Sequence, residues 1–278
     1  MSDATPDVDE ELLAKIENDV LWLTLNRPDA GNAITPRVRN RMIEHLDDAN
    51  TNYNVRAVVV TAVGEKHFCT GADLRAGGVA MPEKPEGAPD RIAGDGSRAI
   101  RTGIQRLIGR FLDCEKPIIC ALNGTAAGGG IAMALASDMI VAADTARLIQ
   151  VFVRRGLIPD GGVVYTLPRI VGLHKAKELV FFGDDLSAAD AETLGIVNKV
   201  VPPGELQAVA KEWAERLASG PTKAIGWSKK LLHDASELSR RDLLEEEAML
   251  VELNSSTVDS AEGVASFRER RTPEWKGW

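Results

Sequence analysis

Three consecutive glycines, Gly128, Gly129 and Gly130, separate an apolar run at Pro117-Ile118-Ile119-Cys120-Ala121-Leu122 from the helix-prone stretch Ile131-Ala132-Met133-Ala134-Leu135-Ala136. A β-rich run feeding a glycine turn, and the turn an Ala/Leu-rich run, predicts strand, loop and helix start. Such a turn presents backbone N–H groups at the positive end of a helix dipole, a place to hold developing negative charge. A second glycine turn follows a strand-like run at Phe68-Cys69-Thr70-Gly71-Ala72-Asp73-Leu74. One acid occupies another glycine-rich turn, Asp160 in Gly156-Leu157-Ile158-Pro159-Asp160-Gly161-Gly162. Each of these turns is also what a plain connection looks like, and Pro-Asp-Gly is a common turn in which Asp bonds its own backbone.

Other chemistries lack their residues. The chain has no GxxxxGK[ST], no GxGxxG after a strand and no GxSxG, and His45, His67, His174 and His233 form no HExxH and lie near no cysteine pair. Metal, nucleotide and serine-hydrolase functions are disfavoured. A net charge of −8 argues against nucleic acid as a partner. Cys69, Cys114 and Cys120 form no CxxC and are odd in number, which reads as reduced thiols. Met1 to Glu11 is acidic, with no basic or apolar signal region, and no apolar run is long enough to span a bilayer. The expectation is a soluble cytoplasmic protein with no membrane contact.

The elements that must position these turns follow from the pattern of the 278 residues. Residues 1–10 read as a disordered tail. Strands are expected at Val20–Leu25, Ala57–Ala62, Asp138–Ala143 and Ile196–Val201, the first closed by Asn26-Arg27-Pro28. Thr35-Pro36 opens a helix to about Asn50, with proline at a favoured first-turn position. Residues 76–96, rich in Gly and Pro, read as a long loop, either a lid or a disordered insertion. Helices are expected over Ser97–Leu112, Lys175–Phe182, Ala188–Leu194, Leu206–Ala218, Thr222–His233, Ser239–Leu253 and Ala261–Arg271. The first two-thirds alternates β and α and the last third is helical, an α/β core (11–202) with a helical C-terminal part (203–278). No sequence repeat is evident.

The motifs together resemble the crotonase (enoyl-CoA hydratase/isomerase) superfamily. The matching pieces are Asn26-Arg27-Pro28 with Asn32-Ala33, the Phe68–Leu74 turn, Lys116-Pro117 with Asn123-Gly124, the glycine triplet, Ala136-Ser137-Asp138, the Gly156–Gly162 turn, and Leu167-Pro168-Arg169-Ile170-Val171-Gly172. The resemblance implies a ClpP/crotonase-type spiral of ββα units and a helical C-terminal region that trimerises, as a homotrimer or a hexamer made of two trimers. It implies an acyl-coenzyme A thioester as ligand, with no separate cofactor and no metal. It makes the backbone N–H groups of Ala72 and Gly129 an oxyanion hole. It places Ala72, Asp73, Leu74, Arg75, Phe267 and Arg270 against CoA, the last two often from a neighbouring subunit, with Asp73 more a support for its loop than a catalyst. Arg75 and the basic end of the last helix also read as ordinary solvated residues. An acyl pocket is expected at Ala132, Phe152 and Val153, while Arg154 and Arg155 could face that pocket or a trimer interface.

The departure from the family pattern concerns acids. Hydratases of the family carry glutamates where this chain has Ala132 and Phe152. Adding water to a double bond requires activating the water and delivering a proton to carbon, and neither residue does this. A single carboxylate suffices to move a double bond, so the expectation is an enoyl-CoA isomerase with Asp160 as proton shuttle. The alternatives are a noncanonical hydratase and a weakly catalytic acyl-CoA-binding protein.

Overall fold

The computed structural model describes residues 8–73, 84–90 and 92–278. Of the expected N-terminal tail, residues 1–7 lie outside the described residues, and Val8–Glu11 forms a helical turn, α1, rather than tail. Leu74, Arg75 and the 76–83 part of the expected loop also lie outside them, as does position 91.

The strands are β1 (Leu12–Glu17), β2 (Val20–Leu25), β3 (Ala57–Ala62), β4 (His67–Cys69), β5 (Ile118–Leu122), β6 (Thr125–Ala127), β7 (Met139–Ala143), β8 (Arg147–Ile149), β9 (Asp185–Ser187) and β10 (Lys199–Val201). The longer helices before the C-terminal part are α2 (Pro36–Thr51), α3 (Asp95–Ile100), α4 (Arg106–Asp113), α5 (Gly129–Ala136), α6 (Val163–Val171) and α7 (Leu173–Phe182). The short α8 (Ala188–Thr193) precedes β10, and α9 (Leu206–Ala218), α10 (Thr222–Asp234), α11 (Arg240–Ser255) and α12 (Val258–Glu269) complete the chain.

The strands form two sheets, ordered β1-β2-β3-β5-β7-β10 and β4-β6-β8-β9. Each of β3, β5 and β7 in the large sheet is followed by β4, β6 or β8 in the small one, and then by helix. The unit strand–strand–helix therefore repeats three times although no sequence repeat marks it. From β2 to β10 the large sheet is parallel, with only β1 antiparallel.

Parallel strands covered on both faces read as continuous apolar runs, and β3 and β5 are buried at every residue. Alternate side chains go to opposite faces. Val58, Val60, Ile118 and Cys120 join the main core with Phe68, Phe111 and Leu46. Ala57, Val59, Ile119 and Ala121 meet Leu206, Ala210, Ala214 and Ala218 of α9. Four-residue spacing puts these on one stripe of α9, and the alanines let the helix lie close to the sheet.

Three expected elements differ in detail. The helix expected over Ser97–Leu112 starts at Asp95 and is broken: a wide turn at Arg101–Gln105 leaves helical geometry at Gly103 (φ −95°, ψ −109°). The strand expected over Ile196–Val201 is only Lys199–Val201. The last helix spans Val258–Glu269, and Arg270 ends it in the left-handed conformation (φ 57°).

Among the described residues no helix is long and apolar enough to cross a membrane.

Candidate active site

The turn after β4 is fixed by its neighbours. The Thr70 N–H donates to Gly31 O at 3.1 Å, the Ile34 N–H to Gly71 O at 2.8 Å and the Asp73 N–H to Ile34 O at 3.0 Å. Gly71 adopts φ +106°, a region that glycine alone enters readily. The 31–34 segment is held in turn by Arg27. Its Nη1 donates to Ala33 O at 2.6 Å, its Nη2 meets Asp73 Oδ2 at 2.8 Å and its Nε meets Glu11 Oε1 at 2.9 Å. Asn32 accepts from the Arg27 N–H at 2.9 Å and donates to His67 O at 2.7 Å. The Asn-Arg-Pro and Asn-Ala motifs thus clamp the Ala72 turn, which is the supporting role expected of Asp73.

The glycine triplet brings the start of α5 against this turn. Gly128 has φ +54°, and a Cβ on Gly71 would lie 3.3 Å from the Gly129 nitrogen. A Cβ on Gly130 would lie 2.1 Å from Cys69 O, so no side chain is tolerated there. Ala72 and Gly129 border one cavity of about 270 Å³. Among the described residues neither of their N–H groups donates to a backbone carbonyl. Two unspent donors beside a cavity are what an oxyanion hole requires.

Asp160 borders the same cavity and is the only carboxylate among its described lining residues. Burial raises its pKa above the ordinary carboxylate value, partly offset by a hydrogen bond from its own backbone N–H. Gly161 (φ +61°) and Gly162 (φ +76°) carry the chain from Asp160 into α6.

The remaining wall is mostly apolar: Ile34 before α2, Ala99, Ile100 and Ile104 around the broken helix, and Val151, Phe152 and Leu157 after β8, with the hydroxyl residues Thr35 and Thr70 beside them. Two arginines, Arg39 of α2 and Arg155, complete it. Cys69, next to the site, is buried and its thiol pushed up to about 12, so it supplies no thiolate nucleophile.

The other expected site residues divide. Phe152 lines the cavity. Val153 does not. A short helical turn at Val153–Arg155 swings it outward, where it is 43% exposed and covers Gly183, and Val151 takes its place. Ala132 is buried behind Gly161 and does not border the cavity. Phe267 is 84% exposed at the last turn of α12, and neither it nor Arg270 borders the cavity of its own chain. Sequence reasoning missed Arg39, Ile104 and Val151. Arg39 carries no distinguishing signal on a helix that also has Arg37 and Arg41, and Ile104 depends on the break at Gly103. Arg155 faces the cavity, the first of the two placements open to it.

The sequence model of the family described as Enoyl-CoA hydratase/isomerase matches residues 15–278. The chain is 33% identical to the 1,2-epoxyphenylacetyl-CoA isomerase of Escherichia coli K12, over 96% of this chain and 99% of that protein. It is 35% identical to the carnitinyl-CoA dehydratase of E. coli SMS-3-5, over the same shares of the two chains. Among solved structures, an enoyl-CoA hydratase from Bacillus anthracis superposes with a TM-score of 0.86 at 30% identity, covering 96% of this chain and all of that one. One from Polaromonas sp. JS666 gives 0.85 at 31% identity, covering 95% and 99%. With both turns in place in an α/β spiral of this kind, the chain belongs to the enoyl-CoA hydratase/isomerase family, has the crotonase fold, and is an acyl-CoA enzyme.

Proposed function

We propose that the protein shifts the double bond of an enoyl-CoA thioester, with Asp160 as the only acid–base group. The observation that carries this is the composition of one cavity among the described residues: two free backbone donors, one carboxylate of raised pKa, two threonines and an otherwise apolar or cationic wall. One relative is named an isomerase and another a dehydratase, so likeness alone does not choose between them. The number of carboxylates supports the isomerase reading. Hydration needs one group to activate water and one to protonate carbon, and Ala132 and Phe152 supply neither.

The thioester carbonyl oxygen accepts from the Ala72 and Gly129 N–H groups. Asp160 removes a proton from C2 of a 3-enoyl thioester, the C2–H electron pair becomes part of a dienolate, and its charge collects on the carbonyl oxygen. The two donors bind that charge more strongly than the ground-state carbonyl, and each is worth about 3–4 kcal/mol of barrier. Asp160 then returns the proton at C4, leaving a 2-enoyl thioester and the carboxylate restored. The apolar wall keeps water from the dienolate and keeps the Asp160 pKa raised.

The same reading takes the active form to be a cytoplasmic homotrimer or pair of trimers. Leu244, Met249, Val251 and Leu253 of α11 and Val258, Val264 and Phe267 of α12 are all at least half exposed. Apolar surface of that extent favours burial against another copy. Such an arrangement would let Phe267 and Arg270 reach the CoA of a neighbouring site, with Ala72 and Asp73 on the other side.

The test is product analysis of the purified protein with 2-enoyl-CoA and 3-enoyl-CoA, repeated with Asp160→Asn. Interconversion of the two in the wild type and its loss in the variant is the expected result. Predominant formation of 3-hydroxyacyl-CoA overturns the isomerase reading, and undiminished isomerisation by the variant overturns the role of Asp160.

A further inference from the structure

Arg39 and Arg155 border the cavity that holds the two oxyanion donors and Asp160. Among the described residues neither guanidinium forms an ion pair. Arg154, next in sequence, does, with Asp185 at 2.7 Å. The hydrogen bonds of the Arg39 guanidinium go only to the neutral side chain of Asn40. Burial and the adjacent Arg106 guanidinium both depress the Arg39 pKa, so its charge is held at a disadvantage. The fold nevertheless makes room for it, since a Cβ on Gly103 would lie 2.9 Å from Arg39 Nη1. A partly buried cation without a counter-charge favours an anion that the protein does not itself provide.

Asp160 is not that anion. It pairs with neither arginine, and its carboxyl is raised where an arginine neighbour would lower it. Ile100, Ile104, Val151 and Phe152 give the same cavity an apolar lining. The phosphates of CoA are a poor match. They lie the full length of the pantetheine arm from the thioester, whose carbonyl must reach Ala72 and Gly129.

We propose that the acyl group of the substrate ends in a carboxylate, a thioester of a dicarboxylic acid, and that Arg39 and Arg155 are the specificity residues that receive it. Arginine presents donors in a fork that matches a carboxylate, and methylenes of the chain would lie along the apolar wall. A substrate ending in methyl would leave the part-buried Arg39 guanidinium unpaired, which turns its presence into discrimination, while Arg155, which is exposed, adds a second set of donors. This substrate class rests on the isomerase reading above only for its kinetic test.

The experiment compares 3-hexenoyl-CoA with the six-carbon 3-enoyl thioester that ends in a carboxylate. The expected result is a preference of roughly tenfold or more in kcat/KM for the carboxylate. That ratio should shrink toward one in Arg39→Gln and Arg155→Gln and be partly kept in Arg39→Lys. Equal or better use of the methyl-ended substrate by the wild type, which needs no variant to fold, overturns the proposal. So does a loss of affinity for free CoA in the variants equal to that for the acyl-CoA, because the arginines would then be holding a CoA phosphate. If neither substrate is turned over, the isomerase reading fails by itself. The substrate class is then decided by equilibrium binding of hexanoyl-CoA against its carboxylate-ended counterpart, with the same tenfold preference supporting it and none overturning it.

Discussion

A Cβ placed on Gly161 would stand 2.9 Å from the Cβ of Ala132. The turn that carries Asp160 thus rests on the position where hydratases of the family carry their first glutamate. Position 132 and the Asp160 turn are coupled by contact, because a larger residue at 132 meets the backbone of that turn. Restoring the glutamate is therefore not expected to restore hydration. Ala132→Glu should cost about 1–3 kcal/mol by overpacking a fully buried site. Displacing Asp160 should also lower isomerisation by about tenfold or more. Denaturant unfolding and product analysis check both, and efficient hydration by the variant would contradict the coupling.

Asp160→Asn should lower kcat by about 10²–10⁴, the usual contribution of a positioned acid–base group. Its effect on stability has the opposite sign. The folded pKa lies above the unfolded one because burial penalises the charged form. The penalty is absent below the unfolded carboxylate range and grows as pH rises through the folded pKa. The variant should thus melt higher than wild type near neutral pH, with the difference fading toward about pH 3. For the same reason the rising limb of kcat/KM against pH should lie above the ordinary carboxylate range. Melting curves and a pH–rate profile give the two readouts.

What the sequence disclosed tracks the length of the signal. The strands β2, β3 and β7 and the helices α2, α9 and α10 are long enough for apolar runs or periodicity to show, and they appear close to their expected bounds. Every strand of the small sheet has only three residues, too few for an alternation, so β6, β8 and β9 left no mark. The glycines of both turns were legible because close approach tolerates nothing else, as Gly130 against Cys69 shows. Val153 was misplaced by a single helical turn, which exchanges it with Val151. Arg39 was invisible because nothing in the sequence separates it from Arg37 and Arg41 on the same helix.

The Ala136-Ser137-Asp138 motif predicts a cost in stability rather than activity. Lys229 of α10 is buried and donates to Asp138 Oδ2 at 2.8 Å and to Phe111 O at 3.1 Å. The same Asp138 oxygen accepts the Ile118 N–H at 2.7 Å. One ion pair therefore fastens the helical C-terminal part to the start of β5. Lys229→Ala would leave Asp138 without its counter-charge and should cost about 3–5 kcal/mol. Lys229→Met with Asp138→Asn should cost less than the sum of the single changes, because neither leaves a buried charge alone. A double-mutant cycle by denaturant unfolding measures this, and purely additive costs would remove the pair from the account.

Arg27 and Asp73 make a prediction in which structure and catalysis separate. The Arg27 guanidinium joins Glu11, Ala33 O and Asp73, and these hold the Ala72 turn from behind. The two carboxylates and the guanidinium are largely buried, with side-chain exposures of 10% and 18%. Arg27→Gln removes the cation that Glu11 and Asp73 share, at about 3 kcal/mol of stability. It also frees the turn to move, and the Ala72 N–H contributes only while it is aimed at the developing oxyanion. The loss should therefore appear in kcat, by about tenfold or more, with a smaller change in KM. Asp73→Asn keeps a hydrogen bond to Arg27 and should lose less of both. If Arg27→Gln instead raises KM and leaves kcat intact, the network binds substrate and does not position the Ala72 donor.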